Sequence, residues 1–423
     1  MRSRICLVLT ALLSLCFSFL AASGADFEPA FDPDTEAEIT VAGSYNNFEA
    51  LEAMFEEFGR YYPNVEMSYL KLDSYNNTIA TALYGEEAPD IYCMQTWMIG
   101  REPYQILFDR AENLSDPDLN IDLSGIRPGL IYHDPNGETP MLPIFSTAFG
   151  VLVNENLFRK EGLTIPTTFD ELVAVTQKLK EAGCQSPIMG FNSNLSMFYS
   201  LEYPDFVSRI KDDPEAIQKL NALDPEAGEY LRPTLEFVKS VMDLGMIDLE
   251  KCAEEIPDDY QGMILRFFEG DVPMIVVNGD TVSGTAKRES LSESFMEHPF
   301  RYSFHLIPSS NEIGFFLNPL LLAFAVNKNS ADLEMTNEFI RYIASAESLN
   351  RMAQIKRLIT PSKDFSLDKV YDSLGDFDEA HTIHPQALGL LDDAIQQMRF
   401  AAYAVANGKM TIDEAIAAYG TLE

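Results

Sequence analysis

Polar and aromatic side chains are concentrated where several predicted strands end. The residues concerned are Tyr45, Asn46, Asn47, Gln95, Trp97, Phe191, Asn192, Asn194, Asn278, Asp280, Phe316 and Asn318. Their amide and carboxylate groups can hydrogen-bond hydroxyl groups, and their aromatic rings can stack on flat apolar faces. The set therefore predicts a binding site for a small polar ligand.

Each of these residue types also has a purely structural role. Asn and Asp at strand ends are favoured turn formers whatever the function. Trp97 is the only tryptophan, and its ring is equally suited to packing against the helix that follows. Phe315 and Phe316 suit a core, although one of two consecutive residues in an extended segment faces away from it.

The first part of the chain alternates short strands with amphipathic helices. Strands are predicted at Glu38–Ala42, Val65–Leu70 and Ile91–Met94, with helices at Phe48–Tyr62 and Ser74–Tyr84 between them. This βαβα order predicts a parallel sheet covered by helices on both faces. In such sheets ligands bind beyond the carboxyl ends of the strands, which is where the polar clusters lie.

A second α/β unit is predicted downstream. Ala148–Val153, Val272–Val277 and Leu320–Val326 have strand character. Thr168 and Glu171 have the spacing of a capping box that begins a helix running to Ala182. The last part of the chain is mostly helical.

Other kinds of chemistry have weaker support. His381 and His384 are close in sequence, but Pro385 follows and no HExxH motif occurs, so we interpret them as surface residues. No phosphate-binding glycine loop occurs either. A glycoside hydrolase needs two carboxylates, and 66 acidic residues always allow such a pair. An eightfold barrel would, however, continue the strand–helix alternation to the end.

The N-terminus predicts export. Arg2 and Arg4 precede the apolar stretch Ile5–Leu20, and small residues lead to a cleavage site after Ala25. These features are typical of a secretory signal peptide. Lipidation of Cys16 is the alternative, in which the cysteine becomes the new N-terminus.

Composition limits the class of partner. The net charge of −36 repels phosphate backbones and anionic lipid heads, so nucleic acid is not an expected partner. The 46% hydrophobic content is sufficient for packed cores, and the chain length suggests two domains or lobes. Beyond the signal peptide, Cys93, Cys184 and Cys252 form no CxxC pair and are predicted to be buried free thiols.

Five stretches, in the same order, resemble the extracellular solute-binding proteins of ATP-driven importers, in the branch that includes the maltose-binding proteins. One difference is Thr281, where that family often has a tryptophan that stacks on the ligand. The five stretches are Ile39–Pro63, Ala88–Ile91 with Trp97, Leu142–Ala182, Phe268–Gly279 and Gly408–Ala415.

The resemblance implies a two-lobed α/β periplasmic-binding-protein-like fold with a hinge and a ligand cleft between the lobes. It implies residues 38–147 plus 319–374 in one lobe and 148–318 plus 375–423 in the other, after a signal peptide at 1–25 and a linker at 26–37. Hinge segments are then expected near Thr147, Asn318 and Gly375.

The resemblance also implies a function without catalytic residues, metal or cofactor. A monomer in the periplasm, or on the outer face of the cytoplasmic membrane, would bind a mono- or oligosaccharide and deliver it to the permease of an ABC importer. Such a ligand presents the hydroxyl edges and apolar faces that the strand-end clusters suit. A secreted glycoside hydrolase or another carbohydrate-active enzyme is the alternative.

Overall fold

The computed structural model describes residues 27–190, 196–257, 259–312 and 314–422. Its strands form a five-stranded sheet, a four-stranded sheet and a small two-stranded sheet. Each of the two larger sheets has its own hydrophobic core. We call the unit on the five-stranded sheet lobe 1 and the unit on the four-stranded sheet lobe 2. The predicted two-lobed α/β fold is therefore confirmed.

The two larger sheets are both mixed. In lobe 1 the order is β2-β1-β3-β10-β4, and in lobe 2 it is β6-β7-β5-β8. β1 runs parallel to β2 and β3, whereas β10 is antiparallel to its neighbours. In chain order the strands are β1 (Ala37–Gly43), β2 (Val65–Lys71), β3 (Ile91–Met94), β4 (Leu142–Ser146), β5 (Phe149–Asn154), β6 (Ile188–Met189), β7 (Met274–Asn278), β8 (Tyr302–His305), β9 (Phe316–Leu317), β10 (Leu320–Val326) and β11 (Thr382–Ile383).

Helices cover both larger sheets. In chain order they are α1 (Glu49–Phe58), α2 (Tyr75–Ala82), α3 (Gln105–Arg110), α4 (Glu155–Lys160), α5 (Phe169–Glu181), α6 (Ser196–Ile210), α7 (Pro214–Asn221), α8 (Arg232–Asp243), α9 (Leu249–Glu255), α10 (Tyr260–Phe267), α11 (Gly279–Ser283), α12 (Thr285–Glu289), α13 (Glu293–Glu297), α14 (Leu333–Ile343), α15 (Ala346–Lys356), α16 (Asp392–Ala406) and α17 (Ile412–Ala417).

Local sequence signals account for much of this pattern. The predicted capping box is confirmed at the start of α5, where the Thr168 side chain accepts from the Glu171 amide and Glu171 reaches back to the N-cap. The helix α1 buries Leu51, Met54 and Phe58 on one face, as the apolar spacing predicts. Such helices are fixed mainly by the cores that they cover.

The segment predicted as a linker packs against lobe 1 where the structure describes it. The ring of Phe27 lies 5.1 Å from the rings of both Tyr61 and Tyr342. The Arg341 guanidinium lies 4.5 Å from the same phenylalanine ring. These contacts hold the start of the described chain beside α1 and α14.

The chain crosses between the lobes at three places. It passes from β4 to β5 around Thr147, and from β9 to β10 around Asn318. Leu358 belongs to the core of lobe 1, whereas Val370 belongs to the core of lobe 2. These core contacts favour a third crossing between Leu358 and Val370, upstream of the expected Gly375.

The described residues include three cysteines, and all three are free thiols. Cys93 and Cys252 are buried, as predicted, but Cys184 is only partly buried. Within the ranges that the structure covers, no helix is long and apolar enough to cross a membrane. Those ranges also contain no group of three His, Cys, Asp or Glu side chains that would hold a metal ion.

Candidate functional site

The loop after β1 presents Tyr45, Asn46 and Asn47. Tyr45 is half-buried, and its ring lies 4.8 Å from that of Phe48 and 5.0 Å from the Lys356 ammonium group. Its carbonyl oxygen accepts a 3.1 Å hydrogen bond from another tyrosine hydroxyl. Asn46 and Asn47 are exposed. The tyrosine is thus held in place, and both amides are accessible to a ligand.

The loop after β3 carries Gln95 and Trp97, both half-buried. The Trp97 indole N–H donates to the Gln95 side-chain oxygen. Tyr104 packs edge-on against the indole at 5.1 Å, and the Arg101 guanidinium lies 5.5 Å from its centroid. The ring therefore packs against lobe 1 and also retains exposed surface.

In lobe 2, Asn278 and Asp280 lie at the end of β7. The Asn278 side-chain oxygen caps α11 by accepting from the Thr281 amide at 3.0 Å. Asp280 is exposed, yet the surrounding protein desolvates its carboxyl group and raises its pKa to about 6. An accessible group is desolvated in this way where the surface around it is concave.

The carboxyl group of Asp280 acts electrostatically on one tyrosine of each lobe. Burial raises the pKa of Tyr45, and the negative charge of Asp280 raises it further. The pKa of the buried Tyr371 is also raised, first by burial and then by the charge of Asp280. Tyr45 and Asp280 follow strands of different sheets, so the two loops approach each other across the gap between the lobes. This gap is the cleft.

Phe316 and Asn318 differ from the expectation of ligand contact. Phe316 is 1% exposed and packs in the core of lobe 2, whereas its neighbour Phe315 is the half-exposed member of the pair. Asn318 is fully buried, and its amide oxygen accepts from Arg127 at 2.6 Å. Its amide nitrogen donates to the Thr147 carbonyl at 2.8 Å. Both side chains are therefore committed to packing or to the hinge.

Three predicted residues, Phe191, Asn192 and Asn194, lie outside the described residues.

Sequence reasoning missed an aromatic cluster on α6. The rings of Tyr199 and Tyr203 stack at 4.8 Å with an interplanar angle of 22°. Phe149 meets Tyr199 edge-on at 5.0 Å, and the Arg399 guanidinium lies 4.6 Å from the Tyr199 ring. Tyr199 is half-buried, which leaves it some accessible surface. The four-residue spacing of the tyrosines, which places both on one face of a helix, was the available signal.

One ion pair connects the two lobes beside Trp97. Arg101, in the loop of lobe 1 that carries Trp97, pairs with Asp392 at the first residue of α16. The charge of Asp392 also raises the pKa of Tyr199, after burial. Trp97, Arg101 and Asp392 therefore form one continuous set of contacts between the lobes, and Asp392 acts electrostatically on Tyr199.

A large cavity lies elsewhere, in lobe 2. It has a volume of about 1330 Å³ and follows the edge strand β8. Its lining includes Phe149, Asp205, His305 and Phe315 but none of the strand-end residues predicted from sequence. We place the candidate site at the cleft instead, because groups from both lobes converge there.

The chain matches one family model. The model of bacterial extracellular solute-binding proteins matches residues 53–379. No curated protein matches the chain.

Solved structures share the fold at low identity. RafE from Streptococcus pneumoniae, in its apo form, has a TM-score of 0.70 at 17% identity, covering 92% of this chain and 98% of its own. MsmE from Bacillus subtilis, in an open conformation, gives 0.69 at 15% identity, with coverages of 91% and 96%. The GacH receptor of Streptomyces glaucescens gives 0.66 at 17% identity, with coverages of 92% and 97%.

Proposed function

Because the chain belongs to the bacterial extracellular solute-binding proteins, we propose that it captures a mono- or oligosaccharide outside the membrane and delivers it to an ABC-type permease. RafE has been solved with raffinose and GacH with acarbose. The matched family and these similar structures are binding proteins rather than enzymes. The hydrolase alternative is therefore not supported.

The juxtaposition of Tyr45 and Asp280 across the cleft carries the proposal. A sugar ring has hydroxyl groups at its edge and C–H groups on its faces. The Asp280 carboxylate accepts hydrogen bonds from hydroxyls, and charged acceptors form the stronger bonds. Tyr45, Trp97 and Tyr199 provide aromatic surface for the ring faces. Ligand bound between the loops would contact both lobes at once.

The remaining predicted residues complete the proposed site. Asn46 and Asn47 would bind hydroxyls from lobe 1, and Gln95 would do so through its amide nitrogen, since its oxygen accepts from the indole. Asn278 would act mainly by holding the loop of Asp280. The residues expected to contact ligand from the segment after β6 are Phe191, Asn192 and Asn194.

Export is part of the same proposal. We infer cleavage after Ala25 and a monomer in the periplasm, or on the outer face of the membrane if Cys16 is lipidated. Closure of the lobes around the sugar would distinguish loaded from empty protein for the permease.

A thermal-shift screen of the purified exported protein against mono- and oligosaccharides tests the proposal. A specific ligand at roughly a hundred times its Kd should add about 2.7 kcal/mol to the free energy of unfolding. Polyols and amino acids in the same screen provide the comparison. Stabilisation by amino acids and by no saccharide would refute sugar capture, and cleavage of a saccharide by the protein would restore the hydrolase alternative.

A further inference from the structure

A buried arginine lies at the hinge. Arg127 is 3% exposed, and burial lowers its pKa to about 9. It donates to the Asn318 side chain at 2.6 Å, to Ser146 Oγ at 3.1 Å and to the carbonyl of Thr360. Within the described chain, all of its hydrogen-bond acceptors are neutral. One guanidinium thus joins the two crossings at β4–β5 and β9–β10 to the segment that follows α15.

His384, one of the two histidines interpreted from sequence as surface residues, lies in the same region. His384 is 7% exposed rather than at the surface, because its ring lies against Gly129 in lobe 1. Its Nδ1 lies 3.0 Å from the Asn318 carbonyl oxygen. Asn318 is therefore held on its backbone side and on its side-chain side, and it cannot turn toward the cleft without breaking both contacts.

A chain of hydrogen bonds leads from this arginine to the cleft. Asn318 Nδ2 donates to the Thr147 carbonyl at 2.8 Å. The Gly279 amide donates both to the Thr147 hydroxyl at 2.9 Å and to the Ala148 carbonyl at 3.0 Å, and Gly279 immediately precedes Asp280. A Cβ atom at Gly279 would lie 2.2 Å from Thr147 Oγ1, so only glycine permits this approach.

We propose that Arg127 is a positioning residue for the ligand site, acting through Asn318 and Thr147 to set where Asp280 stands in the cleft. The inference rests on the proposed function, in which Asp280 contacts the sugar. The arginine touches no ligand. It fixes the segments about which the lobes turn, and the same segments hold the loop of Asp280, so a change at the hinge is transmitted to the site.

The several donors of the guanidinium explain why arginine suits this position. A guanidinium presents several donors in a fixed plane and can bind acceptors on different segments simultaneously. Lysine retains the positive charge but has a single donor group, so Arg127→Lys should release at least one segment. Neutral acceptors bind a guanidinium more weakly than carboxylates do. The buried charge of Arg127 therefore depends on all of its hydrogen bonds together.

The experiment measures the loop of Asp280 in the ligand-free protein. Thr147→Val keeps the side-chain shape but removes the hydroxyl acceptor, whereas Thr147→Ser retains it. Amide exchange of the peptide that contains Gly279 should be roughly three- to tenfold faster in Thr147→Val and in Arg127→Lys, and close to the original rate in Thr147→Ser. Arg341→Lys, at an arginine of lobe 1 that pairs with Glu338 and packs on Phe27, should leave this peptide unchanged.

A second readout follows the carboxyl group itself. Carbon-13 NMR of labelled aspartate, assigned by difference from Asp280→Asn, gives the titration midpoint, which we expect at about 6 in the original protein. The midpoint should fall toward an ordinary aspartate value in Thr147→Val and Arg127→Lys but not in Arg341→Lys.

Unchanged exchange and an unchanged midpoint in folded Thr147→Val, or in folded Arg127→Lys, would overturn the inference. Thr147→Val still tests the last step of the hydrogen-bond chain if Arg127→Lys does not fold. No sugar is used in either measurement. Failure of the proposed function and failure of this inference are therefore distinguishable.

Discussion

At the scale of single residues, the charge of Asp280 should make stability depend on pH. Its pKa of about 6 in the folded protein exceeds the usual aspartate value of about 3.9. The folded state then binds more protons between these values, so the free energy of unfolding should fall as pH rises through this window and level off above it. Because the side chain is exposed, the fall should be below about 1 kcal/mol. Asp280→Asn should abolish it, as measured by urea unfolding across the window.

The same residue should control affinity. As the carboxylate forms above about pH 6, its acceptor strength increases. Sugar affinity, measured by calorimetry on either side of this pH, should therefore rise with pH in the original protein and remain flat in Asp280→Asn. The variant should lose about 1.5–3 kcal/mol of binding free energy at the higher pH. Identical affinities for the two proteins would remove Asp280 from the site.

Trp97 tests the aromatic part of the site. Trp97→Ala should lose about 1–3 kcal/mol of sugar affinity, and Trp97→Phe should retain more because it preserves a flat ring. Some loss of thermal stability is also expected in Trp97→Ala, since the indole packs on Tyr104. If Trp97→Ala bound sugar normally while melting at a lower temperature, the ring would have only a packing role.

At the scale of elements, α6 contains a buried acid. Glu202 is fully buried, and neither carboxyl oxygen has a hydrogen-bond partner in the described structure. Burial raises its pKa well above the usual glutamate value, and Arg399 offsets this only in part. The helix therefore carries a neutral carboxyl group at the residue immediately before Tyr203.

Glu202→Gln should stabilise the protein increasingly as pH rises. The unfolded chain ionises this glutamate above its usual pKa while the folded protein keeps it protonated, so stability falls with pH until the raised pKa is reached. Glutamine removes this dependence, and we expect a gain of about 1–3 kcal/mol at alkaline pH. Urea unfolding at mildly acidic and alkaline pH measures it. Glu236→Gln, at an exposed position of α8, should change stability by no more than about 0.5 kcal/mol at either pH.

At the scale of the whole molecule, the pair of Arg101 and Asp392 joins the lobes. Their side chains are 40% and 26% exposed, so the pair should contribute only about 0–1 kcal/mol. That amount still changes the ratio of closed to open molecules up to about fivefold. Arg101→Gln should weaken sugar binding by up to about fivefold, mainly through faster dissociation, and should reduce its dependence on salt.

Arg232→Gln is the matched control for this prediction, because Arg232 pairs with Glu229 and Asp413 inside lobe 2. It should leave affinity unchanged. Equal dissociation rates for both arginine variants would argue against a role for the pair of Arg101 and Asp392.

Small-angle scattering should show a smaller radius of gyration when sugar is added to the original protein. An unchanged radius of gyration at saturating sugar would argue against lobe closure.

The sequence by itself determined the features that depend on local patterns. Apolar spacing and the capping box predicted α1 and α5, and the strand β10 was predicted with its observed bounds. The order of strands and helices predicted the α/β class, and the rule for strand ends indicated Tyr45 and Asp280. These signals act over a few residues, or over one strand and its loop. They can therefore be recognised without knowing how the helices and strands pack together.

Only the tertiary structure decided which of the predicted polar residues are buried and which are accessible. Asn318 and Asp280 have similar sequence contexts, yet one is buried against Arg127 and the other is accessible. The pairing of Arg101 with Asp392 joins positions 291 residues apart, and no local pattern encodes it. Burial and long-range pairing depend on how the two lobes pack, because a side chain that is free in its own strand or loop becomes committed only when another segment reaches it.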